Sequence, residues 1–381
     1  MNRKLALPLL LWAFLMGACT GTQEALPPKA LAVATENGVT FVQTVVEDGA
    51  FQSYAPLDHT LDLPGSVEIL DIDAYGARDR TLVVLYEVSE TQGAVRRLAF
   101  FPIGRVAVSQ PAVTYTAAST LNLEDLASNT ARTANCARRV SVDPSGRYVG
   151  LRTSDELEGC EEKEPLHLWL DRESDGPTFN LLWDSSGNPI VASAPAWLDL
   201  GDNEPSVTWA ERTDVYAEGV GEDGPGEQDV ALDAGSWSGS AVDYHAAGRV
   251  GVATDGTQLV RVDWATGTAA APVDRTDLGI DAIARVRVEP NLPGSVVVVQ
   301  SPFRGYLTDL EDASRGLPAL ASSAAFTIDT LDYLHALNGT RLEAWDLINP
   351  LNPQQVTNRT LTVTGTPVGV AWFFTETEIA P

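Results

Sequence analysis

The chain contains few of the residues on which redox and metal chemistry depend. Its 381 residues include three cysteines and four histidines, too few for a metal-rich or cofactor-rich centre. Basic residues are scarce as well, 25 against 52 acidic ones, and phosphate groups repel a surface with a formal charge of −27, which argues against nucleic-acid binding. Charged residues are only 20% and hydrophobic residues 44%, which excludes a disordered acidic segment. A chain of this length can bury a full core without many disulfides.

The apolar run at the N-terminus is short. Arg3 and Lys4 precede an apolar stretch over residues 5–16 that is interrupted only by Pro8, and the small residues Gly17 and Ala18 follow. A membrane-spanning helix needs about 20 apolar residues, so a transmembrane anchor is the weaker alternative. A basic start, a short apolar core and small residues before a cleavage site are typical of a secretory signal, and we predict one over residues 1–18.

The next residues carry a family resemblance. The sequence Leu15-Met16-Gly17-Ala18-Cys19 resembles the lipobox of bacterial lipoproteins, although that family prefers Leu, Val or Ile where Met16 stands. The resemblance implies that Cys19 receives a diacylglycerol and, after cleavage before it, a further acyl chain such as palmitate. Thr20 stands where Asp would favour inner-membrane retention under the enteric sorting rule, so the outer membrane or the cell surface is expected.

Lipid would therefore hold the protein at a membrane that its charge avoids. Two or three acyl chains give stable anchoring. Removal of residues 1–18 takes away two basic residues and no acidic ones, which leaves a formal charge of −29 that anionic headgroups repel. Residues 19–30, with the stiff pair Pro27-Pro28, are interpreted as a lipidated tether, and residues 31–381 as one soluble domain, expected to be monomeric.

Two further cysteines remain. An even pair in an exported protein indicates a disulfide, so we predict a bond between Cys136 and Cys160. The loop closed would be about 25 residues long and worth about 3 kcal/mol in the chain-entropy model. Two separate free thiols are the alternative.

The pattern after residue 30 is that of an all-β protein. Apolar runs of four to eight residues, rich in Val, Leu, Tyr and Trp, are bounded by Gly, Pro, Asp and Asn. Short helices are predicted only at Leu121–Ala134 and Leu310–Ser314.

Several stretches repeat one layout of strand, turn and strand. Residues 241–264 and 325–346 match each other closely, and residues 139–171 follow the same order. The residues before the first turn, at positions 142, 183, 242, 288 and 328, are 41, 59, 46 and 40 residues apart. The layout resembles β-propellers of the WD40-like and lactonase-like kind. Residues 341–356 are similar to one copy of the LVIVD repeat of bacterial surface propellers.

The resemblance implies a single β-propeller. At about 50 residues per blade, residues 30–381 give about seven blades. The segments are 30–65, 66–115, 135–179, 180–234, 235–278, 279–322 and 323–367, and Gly369–Phe374 is predicted to complete the first blade. Six or eight blades, and a two-domain β-sandwich, are the alternatives.

Candidate sites are weak. Asp71, Asp73 and Asp79 alternate near a glycine and are weak candidates for Ca²⁺ ligands, with a solvated hairpin as the alternative. The acidic loops 199–204 and 218–233 are interpreted as solvated, or else as patches for a cation or a cationic partner.

The histidines and tryptophans give no clear site. His59, His167, His245 and His335 are expected to pack within blades, and no Gly-x-Ser-x-Gly elbow supports a catalytic triad. Most tryptophans are expected in the core, but Trp197 and Trp237, one of them beside Pro and the other between serines, are candidates for exposed partner contacts.

Two functions from different classes follow. The favoured one is a non-enzymatic binding or scaffold module in the cell envelope, with an envelope protein as partner and without a resident cofactor. The other is a hydrolase or lactonase-like enzyme with a metal in the central channel. The fold by itself does not choose between them.

Overall fold

The chain, described by a computed structural model, consists of 32 β-strands and one short 3₁₀ helix in the residues that the structure describes. These are residues 28–377 apart from 48–49, 92, 127–133, 155–159, 161–164, 174–177, 182–195, 199–205, 212, 220–227, 233–236, 238–240, 280–281, 284, 289–295, 301–303, 309–314, 318–324, 348–353 and 357–360.

The first sixteen strands are β1 (Lys29–Thr35), β2 (Gly38–Glu47), β3 (Ala50–Pro56), β4 (His59–Leu61), β5 (Val67–Tyr75), β6 (Arg80–Glu90), β7 (Gly93–Gly104), β8 (Val113–Tyr115), β9 (Ser119–Asn122), β10 (Arg139–Val142), β11 (Tyr148–Ser154), β12 (Pro165–Asp171), β13 (Thr178–Leu181), β14 (Ala196–Leu198), β15 (Ser206–Glu211) and β16 (Asp214–Gly219). The others are β17 (Gln228–Ala231), β18 (Asp243–Ala247), β19 (Val250–Thr254), β20 (Gln258–Asp263), β21 (Thr268–Ala269), β22 (Val273–Asp274), β23 (Arg285–Val288), β24 (Val296–Gln300), β25 (Arg304–Thr308), β26 (Arg315–Leu317), β27 (Ala325–Ile328), β28 (Tyr333–Asn338), β29 (Arg341–Asp346), β30 (Gln354–Gln355), β31 (Leu361–Thr362) and β32 (Pro367–Phe374).

The described strands form antiparallel sheets that follow one another along the chain. Their strand orders are β3-β2-β1-β32, β5-β6-β7-β9, β10-β11-β12-β13, β14-β15-β16-β17, β18-β19-β20-β21 with β22, β23-β24-β25-β26, and β27-β28-β29-β30 with β31. A separate parallel pair joins β4 to β8. Consecutive strands pair in each sheet because short turns rich in Gly, Asp and Asn connect them.

The innermost strands of these sheets meet in a closed ring. Strand β32 packs beside β5, β5 beside β10, β10 beside β14, β14 beside β18, β18 beside β23, and β27 beside β32. Strands β23 and β27 meet where the Arg287 guanidinium lies 5.8 Å from the Phe326 ring. Sheets arranged around such a ring are a β-propeller, and we call the space inside the ring the central channel. The predicted all-β propeller is therefore confirmed, while the number of blades in the whole chain stays a prediction.

Both ends of the chain contribute to the first sheet. Strand β32 pairs with β1 in antiparallel register, with Ala30 opposite Phe373 and Ala32 opposite Ala371. The predicted completion of the first sheet by the C-terminal strand is confirmed. Lys29 and Ala30, assigned to the tether from sequence, are the first residues of β1, because both are buried against neighbouring strands.

The second sheet buries both of its faces. In β6, Leu82 and Val84 pack into one apolar cluster with the first sheet. The alternate residues Val83 and Leu85 pack into another cluster with the third sheet. Successive side chains of a strand point to opposite faces, so stacked sheets require apolar residues at every position. This explains the continuous apolar runs in the sequence.

The repeated turns seen in the sequence have a common structure. Asp143 follows β10, and its carboxylate accepts hydrogen bonds from the backbone N of Ser145 at 2.9 Å and of Tyr148 at 2.6 Å. Asp329 follows β27 and accepts in the same way from Leu331 at 2.8 Å and Tyr333 at 3.1 Å. The aspartate fixes the turn after the inner strand in both units.

The predicted disulfide between Cys136 and Cys160 is present. The predicted helix at Leu121–Ala134 is wrong at its start, where β9 ends at Asn122 and a 3₁₀ helix covers only Leu123–Asp125. The Asn122 side chain accepts a hydrogen bond from the Glu124 backbone, which favours a turn over a continuing helix. The second predicted helix, 310–314, lies outside the described residues. No described helix is long and apolar enough to cross a membrane.

Candidate binding site in the central channel

The inner strands carry polar side chains that bind the next strand of the ring. On β5, one oxygen of Asp71 accepts a hydrogen bond from the backbone N of Val140 at 2.9 Å. Asp73 does the same to Val142 at 2.7 Å. An inner strand has one edge without a partner strand, so its N–H groups need acceptors. The aspartates of β5 satisfy these groups on β10.

The same arrangement recurs between β18 and β23. Asp243 accepts a hydrogen bond from the backbone N of Val286 at 2.8 Å, and Nδ1 of His245 accepts one from Val288 at 3.2 Å. In both strand pairs, a step of two residues along the first strand matches a step of two residues in the same direction along the second strand. These neighbouring inner strands therefore run parallel. Burial lowers the pKa of His245 well below its usual value, and the charges of Arg287 and Arg285 lower it further. The imidazole is therefore neutral at pH 7.

Arginines stand among these carboxylates. Arg139 on β10 lies 3.5 Å from Asp71, and about half of its side chain is exposed. On β23, the guanidinium groups of Arg285 and Arg287 each lie 5.8 Å from the ring of Phe326. Arginine over an aromatic face is held by cation–π attraction, so this ring helps to position both arginines.

Arg80, the first residue of β6, is engaged by the backbone. Its guanidinium donates hydrogen bonds to the carbonyl oxygens of Trp372 at 2.7 Å and Ala74 at 2.9 Å, and lies 4.1 Å from the Trp372 ring. Burial lowers its pKa to about 10, against which the charge of Asp73 acts. Arg80 remains charged at neutral pH and joins β5, β6 and β32 at one end of the channel.

The charges of these residues act on one another across the ring. Burial lowers the pKa of Arg285, the positive charges of Arg139 and Arg287 lower it further, and Asp243 and Asp71 raise it. Burial raises the pKa of Asp71 to about 6, opposed mainly by Arg139. Burial also raises the pKa of Asp73, which the charge of Arg287 lowers. Burial likewise raises the pKa of Asp243, which the charge of Arg152 lowers. We call this group the channel cluster: Asp71, Asp73, Arg80, Arg139, Arg152, Asp243, His245, Arg285 and Arg287.

The channel cluster has the opposite charge to the chain as a whole. It contains five arginines and three aspartates, and its histidine is neutral, whereas the chain has a formal charge of −27. Each aspartate is also bound to a backbone N–H. The described residues therefore bring side chains of both charges to the inner strands of the ring.

The predicted calcium ligands are not brought together. Asp71 and Asp73 accept backbone hydrogen bonds on the ring, while Asp79 lies exposed in the turn before Arg80. Across the described ranges, no group of three or more His, Cys, Asp or Glu residues is placed to hold a metal ion. Acidic loop 199–204 lies outside the described residues, as do 220–227 and 233 of the second loop, and so does Cys19.

The histidines have different surroundings. His59 and His335 are buried, as predicted, the former 5.8 Å from the Tyr115 ring and the latter 2.8 Å from the Tyr54 hydroxyl. His245 is partly buried, and its Nδ1 accepts a hydrogen bond from the Val288 backbone, so its ring joins two inner strands. The His167 side chain lies outside the described residues.

The prediction that Trp197 or Trp237 is exposed for a partner is wrong, because both are buried. Their exposed fractions are 7% and 5%. Trp237 packs among apolar residues of the fourth and fifth sheets. Trp197 lies 6.3 Å from the Tyr148 ring and stacks with it. Each indole therefore fills space between sheets and not a surface loop.

A cavity of about 580 Å³ lies beside β6, β7 and β9 of the second sheet. Its lining includes Tyr86, Arg97, Thr120, Asn122 and Asp125. It is polar and has no link to the channel cluster in the contacts described.

Sequence reasoning missed the arginines of the channel cluster. A signal was present, because Asp71-Ile-Asp73, Asp243-Tyr-His245 and Arg285-Val-Arg287 place polar residues alternately in the first strand of predicted units. A strand stacked between two sheets is expected to be apolar on both faces, so charged residues at such positions mark the channel side.

Comparisons with known proteins agree with this architecture. No protein-family model and no curated protein matches the chain. Among solved structures, the periplasmic gluconolactonase PpgL of Pseudomonas aeruginosa is 14% identical, with a TM-score of 0.54 over 91% of this chain and 99% of that one. Apo AztD from Citrobacter koseri is 9% identical, with a TM-score of 0.50 over 91% of this chain and 97% of that one. Identities this low show a shared fold, so the chain has the propeller-type fold of these proteins.

Proposed function

We propose that this protein is an exported, lipid-anchored β-propeller that acts as a binding module in the cell envelope, with the central channel as its ligand site. The observation that carries the proposal is the convergence of charged side chains from β5, β10, β18 and β23 on one channel. Each channel aspartate accepts a hydrogen bond from a backbone N–H of the next inner strand. The periplasmic location named for PpgL is consistent with export.

The lipid anchor is proposed at Cys19, with the outer membrane or the cell surface as its destination. Lys29 begins β1 opposite Phe374, where the inner strand β32 ends. Eight residues lie between Cys19 and Pro28, so the nine Cα–Cα steps from one to the other can extend to about 30 Å. The end of the propeller where inner strands finish would then face the membrane. The opposite end, which contains the disulfide and the β6–β7 turn, would be presented to an envelope partner.

Membrane fractionation tests the anchor. The native protein is expected in the membrane fraction until detergent is added, and Cys19→Ala should move to the soluble fraction of the envelope. The double variant Cys136→Ser, Cys160→Ser is the matched control, because it removes two cysteines without touching the anchor and should stay with the membrane. If Cys19→Ala also stays there, the anchor is wrong.

Crosslinking with mass spectrometry in the native envelope tests the binding role. Recovery of an envelope protein crosslinked to the end that contains Cys160 supports it. Crosslinks confined to the propeller itself, at every crosslinker length used, contradict a scaffold role.

Hydrolysis of a lactone is the second candidate function, favoured by the fold shared with PpgL and by Asp243 and His245 in the channel cluster. The purified protein would be assayed on glucono-1,5-lactone with and without added divalent cations. Turnover that is lost in His245→Asn would replace the binding proposal with this one. The binding proposal expects no rate above the uncatalysed reaction.

A further inference from the structure

The cavity beside the second sheet is large enough for a small ligand. Its volume is about 580 Å³, and sites for small organic ligands typically have about 300–1,000 Å³. One wall is formed by β6, β7 and β9, and β7 and β9 are the strands of this sheet farthest from the inner strand β5. The other wall consists of residues 62–64, which connect β4 to β5, and Ala117. The cavity is therefore a candidate site separate from the central channel.

Polar side chains lie in one row across the sheet wall of the cavity. Tyr86 on β6 pairs with Arg97 on β7, and Arg97 pairs with Asn122 on β9. Residues paired across antiparallel strands share one face of the sheet, so the three side chains reach the cavity together. Ala99, two residues after Arg97, is buried in the same wall. Its small side chain leaves the space beside the polar row open.

The Tyr86 hydroxyl has a proton to offer to a ligand. Only 2% of this residue is exposed, because its ring packs in the core between the first and second sheets. Burial raises the pKa of Tyr86, and the charge of Arg97 and a hydrogen bond from that arginine lower it. A guanidinium group only donates, so the hydroxyl accepts from Arg97 and keeps its own proton for another acceptor. None of the described residues of the cavity wall is hydrogen-bonded to that proton.

The carboxylates at the cavity lack a basic partner. Asp62 and Asp125 line the cavity and are exposed. Within the part of the chain that the structure describes, no ion pair includes either of them. The Arg97 guanidinium is already paired with the Glu90 carboxylate. The charge at the cavity is therefore negative, like the formal charge of −27 on the whole chain, and both attract a cation.

The backbone next to each carboxylate is held in place. The backbone N of Asp62 donates a hydrogen bond to the carbonyl oxygen of Tyr115 at 2.8 Å. Asp125 ends the 3₁₀ helix, whose first residue, Leu123, is fully buried. Groups that are positioned before a ligand arrives lose less entropy on binding, so these two carboxylates are suited to hold a positive charge.

We propose that this cavity binds an organic cation that also carries hydroxyl groups, such as a protonated amino sugar or amino alcohol. The carboxylates of Asp62 and Asp125 hold the ammonium group, and a ligand oxygen accepts the proton of the Tyr86 hydroxyl. The carbon skeleton lies against Leu63 and Ala99. An anion would be repelled, and a neutral sugar would leave both carboxylates without a counter-charge. This second site depends on neither the central channel nor the lipid anchor.

Calorimetric titration of the full mature chain in its Cys19→Ala form tests the proposal. Glucosamine is the cationic probe, at pH 6 where its amine is protonated, and glucose is the neutral probe with the same ring. We expect one glucosamine site per chain. Glucose should bind about tenfold more weakly or not at all, because it lacks the charge-assisted hydrogen bonds of the ammonium group. Added salt should weaken the binding of glucosamine.

Variants of the lining decide where the cation binds. Asp62→Asn and Asp125→Asn each keep the shape of the side chain and remove one charge, so each should weaken glucosamine binding about tenfold. Asp58→Asn is the matched control, because Asp58 is exposed a few residues before Asp62 and lies outside the lining. Ala117→Leu should fill the cavity and block binding with no change of charge. Near-ultraviolet circular dichroism checks that each variant is folded.

Two results would overturn the proposal. One is that glucosamine binds a folded wild-type chain no more tightly than glucose does, or does not bind at millimolar concentration. The other is binding that neither the aspartate variants nor Ala117→Leu weaken. Membrane fractionation and crosslinking test the proposed function by themselves, so failure of this site is distinguishable from failure of that function.

Discussion

The Tyr54 hydroxyl lies 2.8 Å from Nδ1 of His335, although 281 positions separate the two residues in sequence. Tyr54 is on β3 of the first sheet and His335 is on β28 of the last, so the contact joins the two sheets between which the ring closes. Nε2 of His335 lies 3.1 Å from the Asp329 carboxylate. A carboxylate can only accept, so Nε2 is the donor. The Tyr54 hydroxyl also donates a hydrogen bond to the Glu343 carbonyl oxygen at 3.1 Å.

Removal of this hydroxyl should weaken the closed ring. Tyr54→Phe removes this hydroxyl from Nδ1 of His335 and from the Glu343 carbonyl oxygen, and we expect a loss of about 1–3 kcal/mol in the free energy of unfolding. Urea denaturation followed by fluorescence would measure it. Tyr115→Phe is the matched control, because its hydroxyl lies 3.3 Å from His59 in a partly buried site, and its loss should be smaller. Equal losses would mean that the Tyr54 contact has no special role in closure.

Asp71 should make stability depend on pH. Its pKa in the folded protein is raised to about 6 by burial, so the folded chain binds this proton more tightly than the unfolded chain does. The stability that protonation gives is present below about pH 4 and is lost as the pH rises to about 6. Asp71→Asn keeps an oxygen for the Val140 N–H but does not ionise. Relative to this variant, wild type should lose about 3 kcal/mol between pH 4 and pH 7.

Urea titrations of both proteins at several pH values would measure this difference. Asp79→Asn in the exposed turn is the control and should show no comparable trend. A constant difference between wild type and Asp71→Asn across this range would contradict the raised pKa.

Gly146 should not tolerate a side chain. Its φ of +77° is in the left-handed region, and an added Cβ would lie 1.9 Å from the Tyr75 ring. Gly146→Ala is therefore expected to lower stability by about 2–4 kcal/mol through strain and overlap. Gly248→Ala is the matched control, since its φ is +60° with open space around the added Cβ, and about 1 kcal/mol is expected there. Thermal denaturation compares the two, and similar losses would argue against the packing of Tyr75 on this turn.

The disulfide should stabilise the propeller measurably. Replacement of Cys136 and Cys160 by serine removes a loop constraint worth about 3 kcal/mol, and the melting temperature should fall accordingly. Mass measurement without reductant should find the two residues linked in wild type. Reductant should lower the melting temperature of wild type and leave the double variant unchanged. A response of the double variant would point to some other reducible group.

Local patterns were sufficient for much of the fold. Strand β6 is apolar at successive positions because its sheet is covered on both faces. The turns at Asp143 and Asp329 form because each aspartate side chain accepts hydrogen bonds from backbone N–H groups two to five residues ahead. These interactions are short in sequence, so they leave a readable pattern. The helix expected from Leu121 failed because the Asn122 side chain starts a turn, a competition that periodicity does not reveal.

The candidate site was far less predictable. Nothing near Asp71 in the sequence indicates its bond to the Val140 backbone, because that contact depends on how the second and third sheets pack. Trp197 and Trp237 were misjudged for the same reason, since neighbours from other sheets bury them.

The sequence by itself determined the all-β architecture and the disulfide, because strand alternation, turn residues and the number of cysteines act locally or by simple counting. Only the tertiary structure decided that Asp71 and Asp243 each bind the next inner strand of the ring. Closure of the ring brings together residues that are more than a hundred positions apart, and that closure results from packing between sheets, which no stretch of sequence contains.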